Sequence, residues 1–356
     1  MKKKIKVGQV EYTIIYQEKI ELIIMLRDTI IANSLLENDA TIIHNYINEL
    51  LELLKQYKLD LTYGYGYTSL LFMFEFLNDN SCKMVYKEMN KYIKKQILEI
   101  FNISMPLIDN GKFNILFDYF KGLSGIFSYY IFFTSEKELN EKIYHYLIKC
   151  IKLTKFNFNN VNISIAHGLS SILLILSEYK IKNNRTSDED IQNRTSDEDI
   201  QIIKKLYIYI LNELNHKCHK KNVLSVAWGN GELGMLYALL KVSKSYGFEV
   251  SLKNYEYILQ QILNKTHLES LDKLNICYGG IGTKLILDKI KDIDVHYSYY
   301  INSFLNILKS YVPRVLYRDL NLNVRNFSIV DSQLAIEILK NKDDKYDKRY
   351  LMYFML

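Results

Sequence analysis

The sequence predicts an all-α protein, an α/α toroid in which helical hairpins form an inner and an outer ring. Apolar residues recur at helical spacing, as at Ile143, Leu147 and Ile151. Only two prolines interrupt 356 residues, which suits long helices because proline breaks a helix interior. A turn of small residues followed by an apolar helix also recurs along the chain, as expected for repeated hairpins.

The repeated turn is the most informative of these patterns. Its five copies are YGYGYTSLLFMF from Tyr63, KGLSGIFSYYIFF from Lys121, HGLSSILLIL from His167, WGNGELGMLYALL from Trp228 and CYGGIGTKLIL from Cys277. A sixth copy, VDSQLAIEIL from Val330, has lost its glycine. Each interval between copies can hold about two helices with their connections. One copy alone could be a packing device, but five copies predict a barrel.

The glycines explain what each turn does. Gly122 and Gly125, like Gly231 and Gly234, are three residues apart and lie on one side of the first helical turn. Without side chains there, loops and neighbouring helices can approach closely. We expect the free backbone N–H groups at the helix starts to face one central cavity.

Domain boundaries follow from these repeats. Residues 1–60 are expected to form an N-terminal helical segment that packs on a toroid spanning residues 61–356. Residues 182–201 contain NRTSDEDIQ twice in succession, which predicts a polar surface insertion. The serine and aspartates of the repeat could instead extend the start of the next helix.

Composition excludes several classes of protein. The net charge of +6 comes from a chain rich in both signs, with no arginine-rich stripe, so no nucleic acid is expected as a partner. No apolar run approaches the roughly 20 residues that span a bilayer, so no membrane span is expected. The four cysteines are widely spaced and the N-terminus lacks an apolar signal segment. A cytoplasmic location is therefore expected.

Residues beside the glycines carry a resemblance to a known family. In chain order they are Asp118 four residues before Gly122, Ala166-His167-Gly168, Ala227-Trp228-Gly229-Asn230-Gly231, and Cys277-Tyr278-Gly279-Gly280. This ordered set, over about residues 61–339, resembles the lanthionine synthetase C-like (LanC-like) family. The resemblance implies a double-layered ring of helices.

The resemblance also implies a chemistry. Family members add a cysteine thiol of a ribosomally made precursor peptide to a dehydroalanine or dehydrobutyrine, which gives a lanthionine-type thioether. The implied partners are that precursor peptide and a lanthipeptide dehydratase. The implied cofactor is zinc, held by two cysteines and one histidine, which lowers the pKa of the thiol.

The zinc ligands are only partly present. Cys277 matches the second zinc cysteine, but Gly229 and Tyr278 stand where the family has the first cysteine and the histidine. Ser225 replaces an arginine typical of the family. One thiolate and a neutral phenol do not make a tight zinc site, so zinc is doubtful here. The nearby cluster His216-Lys217-Cys218-His219 is interpreted as a polar helix end rather than as a substitute ligand set.

Five residues are candidates for the functional site. His167 and Asp118 are the predicted catalytic residues, for proton transfer, although His167 could be a hydrogen-bonded structural residue and Asp118 could orient His167 or cap a helix. Trp228 and Tyr278 are predicted to line the substrate cavity, with core packing as the alternative for Trp228. Cys277 is the one surviving metal-ligand position, or a small buried residue.

Three functions remain open from the sequence. The first is a peptide cyclase that works without the usual metal or with a weakened one. The second is a catalytically degenerate relative that binds a precursor peptide or a partner enzyme. The third is another toroid enzyme that acts on carbohydrate, which would require two carboxylates from among Asp118, Asp331 and Glu232.

Overall fold

The computed structural model describes residues 1–7, 10–15, 17–35, 40–77, 82–109, 117–158, 161–185, 195–249, 252–268 and 279–315. These residues form twelve α-helices and one β-hairpin of strands β1 (Lys2–Val7) and β2 (Val10–Ile15). The helices, numbered in chain order, are α1 Lys19–Leu35, α2 Ala40–Gln56, α3 Tyr67–Leu77, α4 Lys83–Asp109, α5 Leu123–Phe133, α6 Lys137–Leu153, α7 Leu169–Arg185, α8 Asp197–Lys220, α9 Glu232–Tyr246, α10 Leu252–Asn264, α11 Gly280–Ile293 and α12 Ser298–Val315. A short 3₁₀ helix, Val295–Tyr297, precedes α12.

The helices form two layers. The odd-numbered helices make an inner row in which each packs against the next, from α1 to α11. Each even-numbered helix packs outside the inner helix that precedes it in the chain. Two inner helices are buried along most of their length, α5 from Leu123 to Phe132 and α9 from Glu232 to Leu240. Outer helices are amphipathic, as when α2 buries only Ile47, Leu50 and Leu53. The predicted all-α class is therefore confirmed.

The first residues differ from the expected N-terminal helical segment of 1–60. Residues Lys2 to Ile15 form an antiparallel hairpin instead. Lysine alternates with apolar residues over Lys4 to Val7, and this period of two fits a strand. The hairpin is anchored on α1, where Asn33 donates a side-chain hydrogen bond to the carbonyl of Lys6 at 3.0 Å. α1 and α2 continue the two layers, and a domain boundary after residue 60 stays a prediction.

The predicted insertion at 182–201 is partly helical. α7 continues to Arg185, and α8 begins at Asp197. Ser196 caps α8, because its hydroxyl accepts a hydrogen bond from the backbone N–H of Asp199 at 3.1 Å. The second copy of the repeat thus starts the next helix, as the sequence allowed, while 186–194 lie outside the described residues.

Within the described part of the chain, no helix combines the length and the apolar character needed to cross a membrane.

Candidate functional site

Backbone hydrogen bonds join the first four glycine turns edge to edge. The N–H of Gly64 donates to the carbonyl of Phe120 at 2.9 Å, which ties the first turn to the second. The N–H of Tyr119 donates to the carbonyl of Ala166 at 2.8 Å, and the N–H of Ala166 donates to the carbonyl of Gly229 at 2.9 Å. Turns that are distant in sequence therefore lie side by side on one rim of the inner layer, as the repeat predicted.

Close backbone contacts explain the glycines. A Cβ atom on Gly168 would lie 1.7 Å from the backbone oxygen of Asn162. A Cβ atom on Gly125 would lie 1.9 Å from the backbone oxygen of Tyr119. No side chain fits at these distances, so the preceding loop can fold against the helix start only if the residue is glycine.

The prediction of free N–H groups at the helix starts is wrong for at least one N–H group in each of three helices. The first N–H groups of α3 and α7 donate to the carbonyls of Asp60 and Asn162, each at 2.9 Å. In α9 the N–H of Leu233 donates to the carbonyl of Ser225 at 3.2 Å. The preceding loop satisfies these donors because a buried N–H without a partner would cost free energy.

A repeated hydroxyl group, not anticipated from the sequence, supports the loops before α3, α5 and α7. The second residue of α3, α5 and α7 is a buried serine or threonine whose hydroxyl donates to a carbonyl seven residues earlier. The pairs are Thr68 with Leu61, Ser124 with Phe117, and Ser170 with Ile163. The sequence pattern that could have revealed it is a serine or threonine at the second position of the helix, in YTS, LSG and LSS.

The candidate site is a carboxylate–imidazole pair on this rim. The Nδ1 atom of His167 lies 2.5 Å from Oδ2 of Asp118. The other carboxylate oxygen of Asp118 accepts hydrogen bonds from the backbone N–H groups of Phe120, at 2.9 Å, and Lys121, at 2.7 Å. Asp118 therefore contacts His167 and stabilises its own turn, but it does not cap the helix α5, whose N-cap is Gly122 without a side-chain cap hydrogen bond.

The environment keeps Asp118 ionised. Burial alone would raise the pKa of its carboxyl group, but the hydrogen bond with His167 and those from the backbone of Lys121 and Phe120 outweigh it and lower the pKa below the usual 3.8. An ionised carboxylate only accepts hydrogen bonds, so Nδ1 of His167 carries the proton that it donates.

The second ring nitrogen of His167 is available for chemistry. With Nδ1 protonated, Nε2 of the neutral ring is a base, and among the described residues it has no hydrogen-bond partner. The side chain of His167 is 37% exposed, while that of Asp118 is 17% exposed. The pair can therefore accept a proton from a bound molecule and return it.

Trp228 does not line an open cavity. Its side chain is fully buried and contacts Tyr119 and Phe120, with ring centroids 5.5 and 6.0 Å apart. These two residues belong to the loop that Asp118 stabilises. The predicted cavity-lining role of Trp228 is thus replaced by the alternative, core packing, since a large aromatic side chain fills the space beneath the turns.

Glu232 is not available as a second catalytic carboxylate. It is buried and accepts hydrogen bonds from the backbone N–H of Ser225 at 2.8 Å and from the ammonium of Lys221 at 2.9 Å. It ties the fourth loop to the start of α9. Asp331 lies outside the described residues. Of the three acids considered for glycoside chemistry, Asp118 is therefore the one remaining candidate among the described residues.

The cluster at the end of α8 is not a substitute metal site. Cys218 is buried in the outer layer, and burial raises the pKa of its thiol to about 11, whereas His216 and His219 are exposed. No group of three cysteine, histidine or acidic side chains placed to hold a metal occurs among the described residues. The interpretation as a polar helix end agrees with the end of α8 at Lys220.

The turns that resemble the zinc turns do not offer a matching set of ligands. Gly229 has no side chain, and its carbonyl accepts the N–H of Ala166. Cys277 and Tyr278 lie outside the described residues, although α11 begins beside the fourth turn, where Thr283 donates its hydroxyl to the carbonyl of Val226 at 3.2 Å. One thiolate and one phenol do not fit a zinc ion that needs three or four good ligands.

A buried ion pair beneath the first turn is a further feature that sequence analysis missed. Arg27 and Asp28 are both buried on α1, with 2.6 Å between a guanidinium nitrogen and Oδ1. Arg27 also donates to the carbonyl of Gly64 at 2.6 Å. The signal was two adjacent charged residues in the apolar stretch IIMLRDTII. Arg27 thus holds the first turn against the inner layer.

Comparison with known proteins supplies one match. The profile described as lanthionine synthetase C-like protein matches residues 32–329, which is most of the chain. No curated protein matches the sequence.

Proposed function

The chain belongs to the lanthionine synthetase C-like family, and from that premise we propose that it forms thioether rings in a ribosomally made peptide. The family's fold is an α/α toroid, the class that the glycine turns predicted. At the level of the family, a peptide-modifying role follows. The finer proposal, addition of a cysteine thiol to a dehydroalanine or dehydrobutyrine, rests on the site.

The Asp118–His167 pair is the single observation that carries the proposal. Addition of a thiol to a dehydroamino acid requires removal of one proton and delivery of another, with no change in redox state. A half-exposed imidazole, oriented through Nδ1 by an ionised carboxylate, suits both steps. The ligand set does not fit zinc, so no step is assigned to a metal.

His167 carries out both proton transfers of the reaction, and Asp118 stabilises the charged intermediate form of its ring. Nε2 of His167 takes the proton of the peptide thiol, and Asp118 stabilises the resulting imidazolium ion. The thiolate then attacks Cβ of the dehydroamino acid, and the electron pair of the Cα–Cβ double bond moves to form an enolate. Cα takes the proton back from Nε2, which restores neutral imidazole and completes the thioether. Positioning of the two groups supplies further acceleration.

Binding without catalysis is the second candidate, and one observation favours it. Gly229 offers no thiolate where the family has its first zinc cysteine. Such a protein would hold a precursor peptide, or a partner such as a lanthipeptide dehydratase, on the rim of the toroid.

Thiol consumption in a dehydrated peptide separates these candidates. The substrate is a synthetic peptide with one cysteine and one dehydroalanine, and ring formation is followed by loss of alkylatable thiol at constant mass. We expect His167→Ala to lower the rate about 10²- to 10⁴-fold, because it removes the group that transfers the proton. His216→Ala, which removes an exposed histidine on α8, is the matched control and should keep the rate of the unchanged protein.

Two outcomes would overturn the cyclase proposal. Equal rates for the unchanged protein and His167→Ala would remove His167 from the mechanism. Peptide binding by the unchanged protein without any turnover would support the binding role instead. Prior treatment with a chelator should leave the rate intact, and a chelator-induced loss that zinc restores would show that a metal takes part after all.

A further inference from the structure

The glycine turns share one backbone conformation, and each turn exposes one residue. In three turns the N–H of the glycine before the helix donates to the carbonyl four residues earlier, from Gly66 to Thr62 at 3.0 Å, from Gly122 to Asp118 at 3.0 Å and from Gly231 to Ala227 at 3.1 Å. The residue directly before the glycine is more exposed than either of its neighbours in all four joined turns. These residues are Tyr65, Lys121, His167 and Asn230. They therefore occupy equivalent positions on the rim.

Lys121 is the neighbour of His167 in this arrangement. Their turns are joined by the hydrogen bond from the N–H of Tyr119 to the carbonyl of Ala166 at 2.8 Å. The backbone N–H of Lys121 lies 2.7 Å from one oxygen of Asp118, and the other oxygen lies 2.5 Å from Nδ1 of His167. A single carboxylate group thus separates the backbone of Lys121 from the imidazole ring. The ammonium of Lys121, on its flexible four-carbon stem, can therefore reach a molecule that contacts Nε2 of His167.

The charge of Lys121 is available to a bound molecule. Its side chain is exposed, and its ammonium forms no ion pair with a described residue. The nearby carboxylate of Asp118 is already occupied by His167 and by two backbone N–H groups. In the four joined turns, residues 63–66, 119–122, 165–168 and 228–231, Lys121 is the one lysine or arginine. An unpaired cation on this rim attracts negative charge that develops on a molecule beside it.

Thioether formation develops negative charge that the Asp118–His167 pair does not stabilise. When the thiolate adds to Cβ of the dehydroamino acid, the electron pair of the double bond moves toward the carbonyl group, and the carbonyl oxygen becomes the negative oxygen of an enolate. Asp118 is itself negative, and Nε2 of His167 transfers the proton to Cα. A cationic hydrogen-bond donor close to the place where an oxyanion forms lowers the barrier to its formation.

We propose that Lys121 is a third catalytic residue, whose ammonium donates a hydrogen bond to the carbonyl oxygen of the dehydroamino acid and stabilises the enolate. This inference rests on the proposed function. Lys121 keeps its proton throughout the reaction. Its hydrogen bond strengthens as the enolate forms and weakens when Cα takes the proton from Nε2 of His167 and the carbonyl group is restored. The positive charge of the side chain is what the step requires.

Steady-state kinetics of three variants test this role, with a synthetic peptide that carries one cysteine and one dehydroalanine. Lys121→Met removes the ammonium and keeps a stem of similar length. We expect it to lower kcat about 10- to 100-fold and to leave KM within about threefold, because the lost contact is made mainly in the transition state. Lys121→Arg keeps the charge and should recover most of the rate. Lys87→Met, which removes an exposed lysine of the outer helix α4, is the matched control and should change neither constant.

Hydrogen exchange in the finished thioether follows the enolate without the thiol. In heavy water, Nε2 of His167 can remove the hydrogen from the Cα that was dehydroalanine and return deuterium, which is the reverse of the last step. Tandem mass spectrometry measures this exchange. Lys121→Met should slow it by about the same factor as it lowers kcat, and Lys121→Arg should restore it. Both variants keep the backbone N–H that binds Asp118, so circular dichroism should show an unchanged fold.

Three results would overturn the role of Lys121: an unchanged kcat in Lys121→Met, an equal loss of kcat in Lys121→Arg, or a rise in KM alone, which would make Lys121 a binding contact. If one of these occurs while His167→Ala is slow, this inference fails and the cyclase proposal stands. If the unchanged protein shows neither turnover of the dehydrated peptide nor exchange in the thioether, both fail together.

Discussion

The two carboxylate oxygens of Asp118 have different hydrogen-bond partners. One accepts the N–H groups of Phe120 and Lys121 and so closes the second turn, and the other holds Nδ1 of His167. The orientation of the His167 ring and the closure of the second turn thus depend on one ionised group. Because these hydrogen bonds favour the carboxylate form, the pKa of Asp118 is below its ordinary value.

This lowered pKa makes part of the stability depend on pH. A carboxyl group with a lower pKa in the folded state stabilises the fold above its unfolded pKa, and this contribution is lost as the pH falls through the folded pKa. We expect Asp118→Asn to lower the free energy of unfolding by about 1 to 2 kcal/mol at pH 6. The difference from the unchanged protein should shrink as the pH falls below about 3.8.

Urea denaturation at a series of pH values between 6 and 3 measures this difference. Every other carboxylate is common to both proteins, so subtraction isolates Asp118. Parallel stability curves across the whole range would show that the carboxylate charge contributes nothing to folding.

At the scale of the element, the glycine turn is a loop that folds back onto its own helix. The loop carbonyls accept the first helical N–H groups, a buried hydroxyl binds a carbonyl seven residues earlier, and glycine allows the close approach. The same construction recurs at α3 and α7.

Two glycine substitutions test this construction. Gly168→Ala places a Cβ atom 1.7 Å from the backbone oxygen of Asn162 and should lower the free energy of unfolding by about 3 kcal/mol. Gly247→Ala, at the end of α9, has nothing within 4 Å but has φ of 67°, so it should cost only about 1 kcal/mol of backbone strain. Chemical denaturation measures the loss in the free energy of unfolding for both variants. A loss for Gly168→Ala that is equal to or smaller than the loss for Gly247→Ala would argue against the close contact.

At the scale of the whole molecule, the layers share one core. Buried apolar side chains form a continuous cluster from Leu22 on α1 to Leu308 on α12. The rim turns are bonded to one another across hairpins, and Trp228 lies fully buried beneath them. This continuity couples hairpins that would otherwise contact only their neighbours.

Trp228 reports on this coupling, because it is the single tryptophan of the chain. We expect unfolding in urea, followed by tryptophan fluorescence and by far-ultraviolet circular dichroism, to give the same midpoint. The first signal monitors the core beneath the rim and the second monitors all helices. A fluorescence midpoint at clearly lower urea would instead show that the rim opens before the helical layers do.

The helical class, the order of the turns and the residue types on them were predictable from the amino-acid sequence, because helical periodicity and glycine requirements are local properties. The sequence also singled out Asp118 and His167 as candidates. That these two residues touch and that Trp228 is buried could be learned only from the fold. Those outcomes depend on which turns and helices become neighbours, and the contacts join residues that are tens of positions apart along the chain.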